Sequence, residues 1–251
     1  MLALTLVLYW LLTDASFRVK PATIDVSGLH YADEGLVRER LADLHRQPNI
    51  FRVRTADSAA ALATLPQVRS ARVTVRLPDA VSVEVTEREP IFVWRSGSDA
   101  WLVDREGVLF APREAASAEQ LGSGFLGSAL PEVDDARLVV QPPGLGDRLG
   151  TVDLVVMRQL LALDAERLRS RSTQLRLRVD EQDGYVLESL DRAWRARFGH
   201  YTPTLHPPEA IAAEVQCLAG LLGESERRVL SVTLAPSEDA CGTWAKVEPR
   251  G

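Results

Sequence analysis

Apolar residues in the first third of the chain fall into two rhythms. Between residues 71 and 77 the odd positions are apolar (Ala71, Val73, Val75, Leu77), with Arg72, Thr74 and Arg76 between them, which is the period of a half-buried strand. Val81, Val83 and Val85 repeat it after Pro78, Asp79 and Ala80. The spacing predicts a one-sided antiparallel hairpin with a three-residue loop and Leu77 opposite Val81. Such a face needs a cover. Upstream, Ile24 and Val26 alternate with polar neighbours before a turn at Gly28. Leu36, Val37, Leu41 and Leu44 then form one helical stripe that starts at Asp33 or Glu34 and stops at Pro48 and Asn49. After an extended piece at Ile50, Phe51 and Val53, Thr55 can cap a second helix over residues 56–65, closed by Pro66. The predicted order is β, α, α, β, β: a small three-stranded sheet with two helices on one face.

Beyond it, Pro90 to Arg95 and Trp101 to Val103 read as strands that continue this sheet. Residues 111–137 have little periodicity, and Ser96 to Asp153 carries ten acids against four arginines, which predicts a long, solvated connection. A helix is expected over residues 152–168. A meander of strands follows at Leu175 to Val179, Tyr185 to Leu190 and Trp194 to Phe198, then a helix opened by Pro207 and Pro208 and closed by Gly223. Two last strands lie at Val229 to Leu234 and Gly242 to Val247. The class is therefore α+β, with a curved antiparallel sheet carrying two helices from Pro90 onward.

The first segment changes this picture. Eleven of the first twelve residues are apolar and no charge occurs before Asp14, so residues 1–16 read as a membrane anchor. At about 1.5 Å per residue they fall short of a hydrocarbon core of about 30 Å, so the expectation is an anchor whose cytoplasmic start is missing. A cleaved signal is the alternative, although a basic leading region and an A-x-A site are lacking. The rest is soluble in composition. A net charge of -6 with acids and bases interspersed argues against nucleic acid, which needs clustered cations.

Candidate chemistry is sparse. Gly144, Gly146 and Gly150 follow a strand-like run and precede a helix, as in a nucleotide-binding fold, but the spacing is G-x-G-x-x-x-G, Pro142 and Pro143 stiffen the loop, and the later strands are expected to form hairpins rather than βαβ units. Asp104 in its D-R-E-G turn is explained by a carboxylate accepting backbone hydrogens. His30, His45, His200 and His206 lack ligand spacing and are expected in solvated loops. No activated-nucleophile motif occurs, and neither a cofactor, a metal nor a small-molecule substrate is expected. Cys217 and Cys241 can either join outside the cytoplasm or leave Cys217 in the core. Arg167, Arg169, Arg171, Arg176 and Arg178 form either a solvated face or a site for an acidic partner patch. The final strand is a candidate sheet edge with free N–H and C=O groups.

Several of these runs carry a resemblance. FRVKPATIDVSGL, PNIFRV, LPQVRSARVTVRLPDAVSVEVTEREP and WLVDREGVLF resemble the FtsQ/DivIB family of bacterial cell-division proteins. Val26 and Gly28 match its entry turn. Leu65, Pro66, Val68, Ala71 and Val73 match its hairpin opening, and Val85, Glu87, Arg88 and Pro90 its hairpin close, while Leu102, Val103, Asp104, Gly107, Val108 and Phe110 match the element after it. The resemblance implies an anchor at 1–16, a POTRA-like domain at 17–89 and an FtsQ-type β domain at 90–249. It further implies a non-enzymatic, single-pass scaffold of the divisome, lying mostly outside the cytoplasm at the septal inner membrane and recruiting FtsB/FtsL-type partners for septum formation. The implied partner-binding positions are Val229, Ser231, Thr233, Gly242, Thr243, Trp244, Ala245, Lys246 and Val247. A POTRA-containing export component and a nucleotide-binding enzyme using the 144–150 loop are the alternatives.

Overall fold

A computed structural model describes residues 2–20, 23–42, 49–138, 142–234 and 241–246. The chain divides into two compact units, Met1–Arg88 and Glu89–Gly251.

The first unit opens with α1 (Leu2–Thr13), twelve residues without a charge. Among the described residues, no helix is long and apolar enough to cross a membrane. The end of α1 is fastened locally: buried Asn49 donates from Nδ2 to the Leu11 carbonyl at 2.7 Å. Next come β1 (Ile24–Ser27), α2 (Glu34–Arg40), α3 (Thr55–Leu62), β2 (Val68–Arg76) and β3 (Ala80–Glu87). Asp33 caps α2 by accepting from the Leu36 N–H at 2.9 Å. Thr55 is not a cap, since it is already the first residue of α3. His45 and the expected end of the first helix at Leu44 to Pro48 lie outside the described residues.

The three strands run in the order β1-β3-β2, with β1 parallel and β2 antiparallel to β3. The hairpin register differs from the expected one by two residues: Val75 faces Val81 and Arg76 faces Ala80, while Leu77, Pro78 and Asp79 form the loop. Pro78 has no N–H for a ladder, and the loop is held from outside when Thr23 Oγ1 donates to the Asp79 carbonyl at 2.7 Å. A two-residue shift keeps every side chain on its face, so the core survives: Val73, Val81, Val83 and Val85 pack with Val37, Leu41, Ile50 and Leu62.

The residues closing the hairpin have physical tasks here. The Glu87 carboxylate accepts from the backbone N–H groups of His30, Tyr31 and Ala32 at 2.8, 2.8 and 2.7 Å. Arg88 donates from Nε to the Pro66 carbonyl at 3.0 Å. Gly28 sits at φ +87°, and a Cβ there would meet the Val85 carbonyl oxygen at 2.0 Å, so only glycine fits.

The second unit is one nine-stranded sheet with strands β4 (Pro90–Ser96), β5 (Asp99–Asp104), β6 (Leu109–Pro112), β7 (Glu132–Asp135), β8 (Leu175–Asp180), β9 (Gly184–Ser189), β10 (Arg195–Gly199), β11 (Val229–Thr233) and β12 (Thr243–Lys246). Their spatial order is β12-β11-β10-β9-β8-β7-β4-β5-β6. This corrects three expectations. Strands β4 and β5 do not extend the hairpin sheet but begin this separate one. The sheet is mixed, because β4–β7, β7–β8 and β10–β11 are parallel pairs. Residues 111–137 are not a solvated connection: they hold a short helix α4 (Ala118–Leu121) with a full capping box, buried Leu121, Leu126 and Leu130, and then β7 near the sheet's centre. The parallel crossovers run through α5 (Thr151–Leu160), between β7 and β8, and α6 (Ile211–Ser225), between β10 and β11. Helix α5 ends earlier than expected, and Gly223 lies within α6 rather than closing it. The core joins Phe92, Trp94, Val133, Met157, Leu177 and Trp194.

Three of the four residues of β7 are acids, and cations around it neutralise them. Glu132 pairs with Arg95 and, at 2.7 Å, with Arg113; Asp134 lies 3.1 Å from Arg95 and 3.7 Å from Arg176. Asp135 takes Arg137 at 2.9 Å, and Arg137 also reaches Asp153 of α5 at 3.3 Å and stacks on Trp94. Burial disfavours the Glu132 carboxylate, but the hydrogen bonds from Arg113 and Arg95 outweigh it and hold its pKa below the ordinary carboxylate value.

Two predictions follow from these cores. Val83→Asp, with no exposure at all, should cost several kcal/mol (about 3 or more) in a circular-dichroism melt, whereas Val75→Asp, at a position 37% exposed, should cost much less. Because the Glu132 pKa is depressed in the fold, its contribution is present above the ordinary carboxylate range and lost as pH falls through that range and below. The stability difference between the wild type and Glu132→Gln in urea unfolding should therefore shrink on going from pH ~6 to pH ~3.

Candidate functional site: the open edge at β12

The open edge of the large sheet is built by three neighbours. β11 is clasped on both flanks, parallel to β10 and antiparallel to β12. Its Val229 is 1% exposed, so that side chain belongs to the core, and the backbones of Val229, Ser231 and Thr233 are already covered by β12. β12 is different. Thr243 faces Thr233, Trp244 faces Val232, Ala245 faces Ser231 and Lys246 faces Val229, and all four β12 residues are exposed. Among the described residues nothing pairs with its outer side. In an antiparallel ladder alternate residues turn both N–H and C=O away from the neighbour, so about half of these residues offer hydrogen bonds to an incoming strand. Of the expected positions, Gly242, Thr243, Trp244, Ala245 and Lys246 form this edge, and Val247 lies outside the described residues.

Two features fix the edge in place. Cys217 of α6 and Cys241 form a disulfide across 24 residues. Gly242, at φ +98°, then turns the chain into β12. Beside the edge lies an open groove of about 490 Å³, lined by the disulfide, Leu221, Val232, Leu234 and Trp244. Lys246 Nζ sits 5.1 Å from the centre of the Trp244 ring, which orients the indole at the rim.

The other candidates separate on inspection. Topology favours the glycine loop more than expected, since β7, α5 and β8 do form a parallel crossover rather than a hairpin. Three of its amides, however, are spent within the chain: Gly144 N–H donates to Asp147 Oδ2 at 2.8 Å, Gly146 N–H to the Leu109 carbonyl at 2.7 Å and Leu149 N–H to the Gly107 carbonyl at 2.9 Å, which withdraws these donors from a phosphate cradle. Asp104 Oδ1 accepts from the N–H groups of Glu106 and Val108 at 2.8 and 2.9 Å, the turn role read from sequence. His30 and His200 are exposed. His206 is not a solvated loop residue: its Nε2 lies 2.8 Å from the buried Glu214, which also accepts from the Tyr201 hydroxyl. No group of three potential metal ligands occurs among the described residues. The arginine cluster splits, with Arg176 and Arg178 paired to Asp134 and Asp180, and Arg167 donating to the Ala162 carbonyl. Arg169 and Arg171 join a cavity that the sequence did not reveal, because Arg192, Arg227 and Arg228 reach it from distant segments.

The βααββ unit with its Glu87 and Gly28 locks, followed by a separate sheet, defines a POTRA-type protein. Residues 19–88 match the family described as POTRA domain, FtsQ-type. The chain is 33% identical over 156 residues to the cell division protein FtsQ of Chloroflexus aurantiacus, covering 61% of this chain and 51% of that one. It is 32% identical over 140 residues to FtsQ of Chloroflexus aggregans (55% and 46%) and 34% identical over 90 residues to FtsQ of Corynebacterium glutamicum (36% and 40%). The chain spans about half the length of the first two of these relatives. The FtsQ-type POTRA domain and these relatives support an FtsQ/DivIB-type protein.

Replacing both Cys217 and Cys241 by serine should lower stability by about 3 kcal/mol, the usual effect of opening a loop of this length. Hydrogen exchange should accelerate at Thr243 to Lys246 while the amides of β2 and β3 keep their protection.

Proposed function

We propose that this protein is a non-enzymatic, single-pass scaffold of the division machinery, which recruits FtsB/FtsL-type partners outside the cytoplasm by accepting one of their strands along β12. The observation that carries this reading is that β12 is a terminal strand of the large sheet, with all four of its residues exposed and, among the described residues, no strand paired beyond it. Main-chain hydrogen bonds would supply affinity, and the groove lined by Leu221, Val232, Leu234 and Trp244 would select apolar side chains on the added strand. The Cys217–Cys241 disulfide supports placement of this unit in an oxidising compartment. The apolar stretch 1–16 supports attachment at the septal inner membrane, with the POTRA domain at 17–89 adding contacts near that surface and the β domain at 90–249 presenting the edge. The commitment of the Gly144, Gly146 and Leu149 amides to intrachain partners weighs against the nucleotide-binding alternative.

Deleting residues 242–251 should lower capture of FtsB/FtsL-type extracytoplasmic segments by about tenfold or more in co-purification, while the POTRA domain keeps its fold and melting transition. Capture at the wild-type level would rule out the β12 edge as the docking strand.

A further inference from the structure

Five arginines from three separate segments meet at one end of the large sheet. Arg169 and Arg171 precede β8, Arg192 lies in the turn between β9 and β10, and Arg227 and Arg228 join α6 to β11; they line an open cavity of about 360 Å³. Two glutamates share it. Glu226 is turned inward, where its carboxylate accepts from the Ser170 hydroxyl, the Arg171 N–H and, at 3.2 Å, Trp194 Nε1, so only Glu224 offers an exposed counter-charge. Among the described residues, the guanidinium groups of Arg169, Arg171 and Arg227 form no ion pair, and Arg228 donates only to Ser225 Oγ. Elsewhere in the sheet the arginines of the ladder are paired, as Arg95, Arg176, Arg178, Arg195 and Arg197 are. In a chain of net charge -6, a pocket with this surplus of unpaired guanidinium groups is an exception with a physical meaning.

Its position ties it to the open edge. Lys246 at the end of β12 pairs with Val229, which directly follows Arg227 and Arg228. A strand laid against β12 therefore has one end at the same end of the sheet as this cavity, two strand spacings or about 10 Å from β11. We infer that the cavity receives an acidic stretch of the same partner polypeptide that adds its strand to β12, with carboxylates bridging the free guanidinium groups. This deepens the edge-strand reading above and rests on it for the identity of the partner, while the anion site itself stands on its own residues. Planar guanidinium forks match carboxylates two bonds at a time, and a peptide carrying several carboxylates can engage several forks at once. Rim charges of this kind set partner choice and association rate more than total affinity.

The test uses the full chain and hexaglutamate as the acidic probe. Binding should be measurable at ~0.05 M salt, weaken steeply by ~0.5 M, and fall about tenfold or more in the double variant Arg171→Glu/Arg227→Glu, with Arg171→Lys/Arg227→Lys in between. Both side chains are exposed, so the thermal melt should not move. Equal binding by wild type and the Glu variant would overturn the inference, as would inorganic phosphate competing as well as hexaglutamate. Binding of phosphatidylglycerol vesicles with the same arginine dependence, in the absence of hexaglutamate binding, would overturn it in favour of a lipid surface. The chain lacking residues 242–251 separates the two readings. If it keeps the hexaglutamate affinity and loses the partner, both hold; if it keeps both, the edge reading fails and the anion site remains.

Discussion

Everything in the larger unit depends on a four-residue strand that pairs on both sides. β7 is parallel to β4 on one flank and to β8 on the other, so it is the seam between β4-β5-β6 and the strands from β8 to β12. Only Val133 gives it an apolar anchor, at 0% exposure. What makes so acidic a segment tolerable inside a sheet is compensation across the ladder: Arg95 and Arg176 from the flanking strands, Arg113, and Arg137 bridging to α5. Removing one partner from such a network leaves a half-buried charge behind, which is costlier than never having placed it there.

That compensation explains what could and could not be read from the chain. The βααββ unit was legible because its strands keep one face dry and because its locks, Gly28 and Glu87, are local in their demands. β7 was not legible, since E-V-D-D has no period to detect and its neutralising arginines lie up to 42 residues away in sequence, as Arg176 does from Asp134. The same cause accounts for two of the three parallel pairs that the all-antiparallel expectation missed, since a strand overlooked between β4 and β8 hides both of its pairings, while the third, β10–β11, follows from the α6 crossover. The hairpin register slipped by two because hydrophobic alternation fixes the face but leaves even shifts degenerate.

The expected edge positions divide between two strands, with Val229, Ser231 and Thr233 in β11 and Thr243 to Lys246 in β12. Exposure in sequence terms is ambiguous for Val229, Ser231 and Thr233, and only the order of strands shows that β11 is enclosed while β12 is not. The arginine cavity was half visible, as a run of charge between residues 167 and 178 whose members turn out to have different fates. Arg176 and Arg178, within β8, neutralise acids of the sheet, Arg167 donates to a carbonyl, and Arg169 and Arg171, ahead of the strand, are left for the cavity.

The disulfide has a consequence for how the terminal strand is delivered. β12 has no core side chain to hold it, so in mechanical terms it is a short ribbon clipped to the rest by one ladder and one covalent bond. By joining the root of that ribbon to α6, the Cys217–Cys241 bond limits its search to orientations already aligned with β11. An arriving chain would then meet a template set before contact, and the ordering entropy that usually taxes strand addition would have been spent during folding.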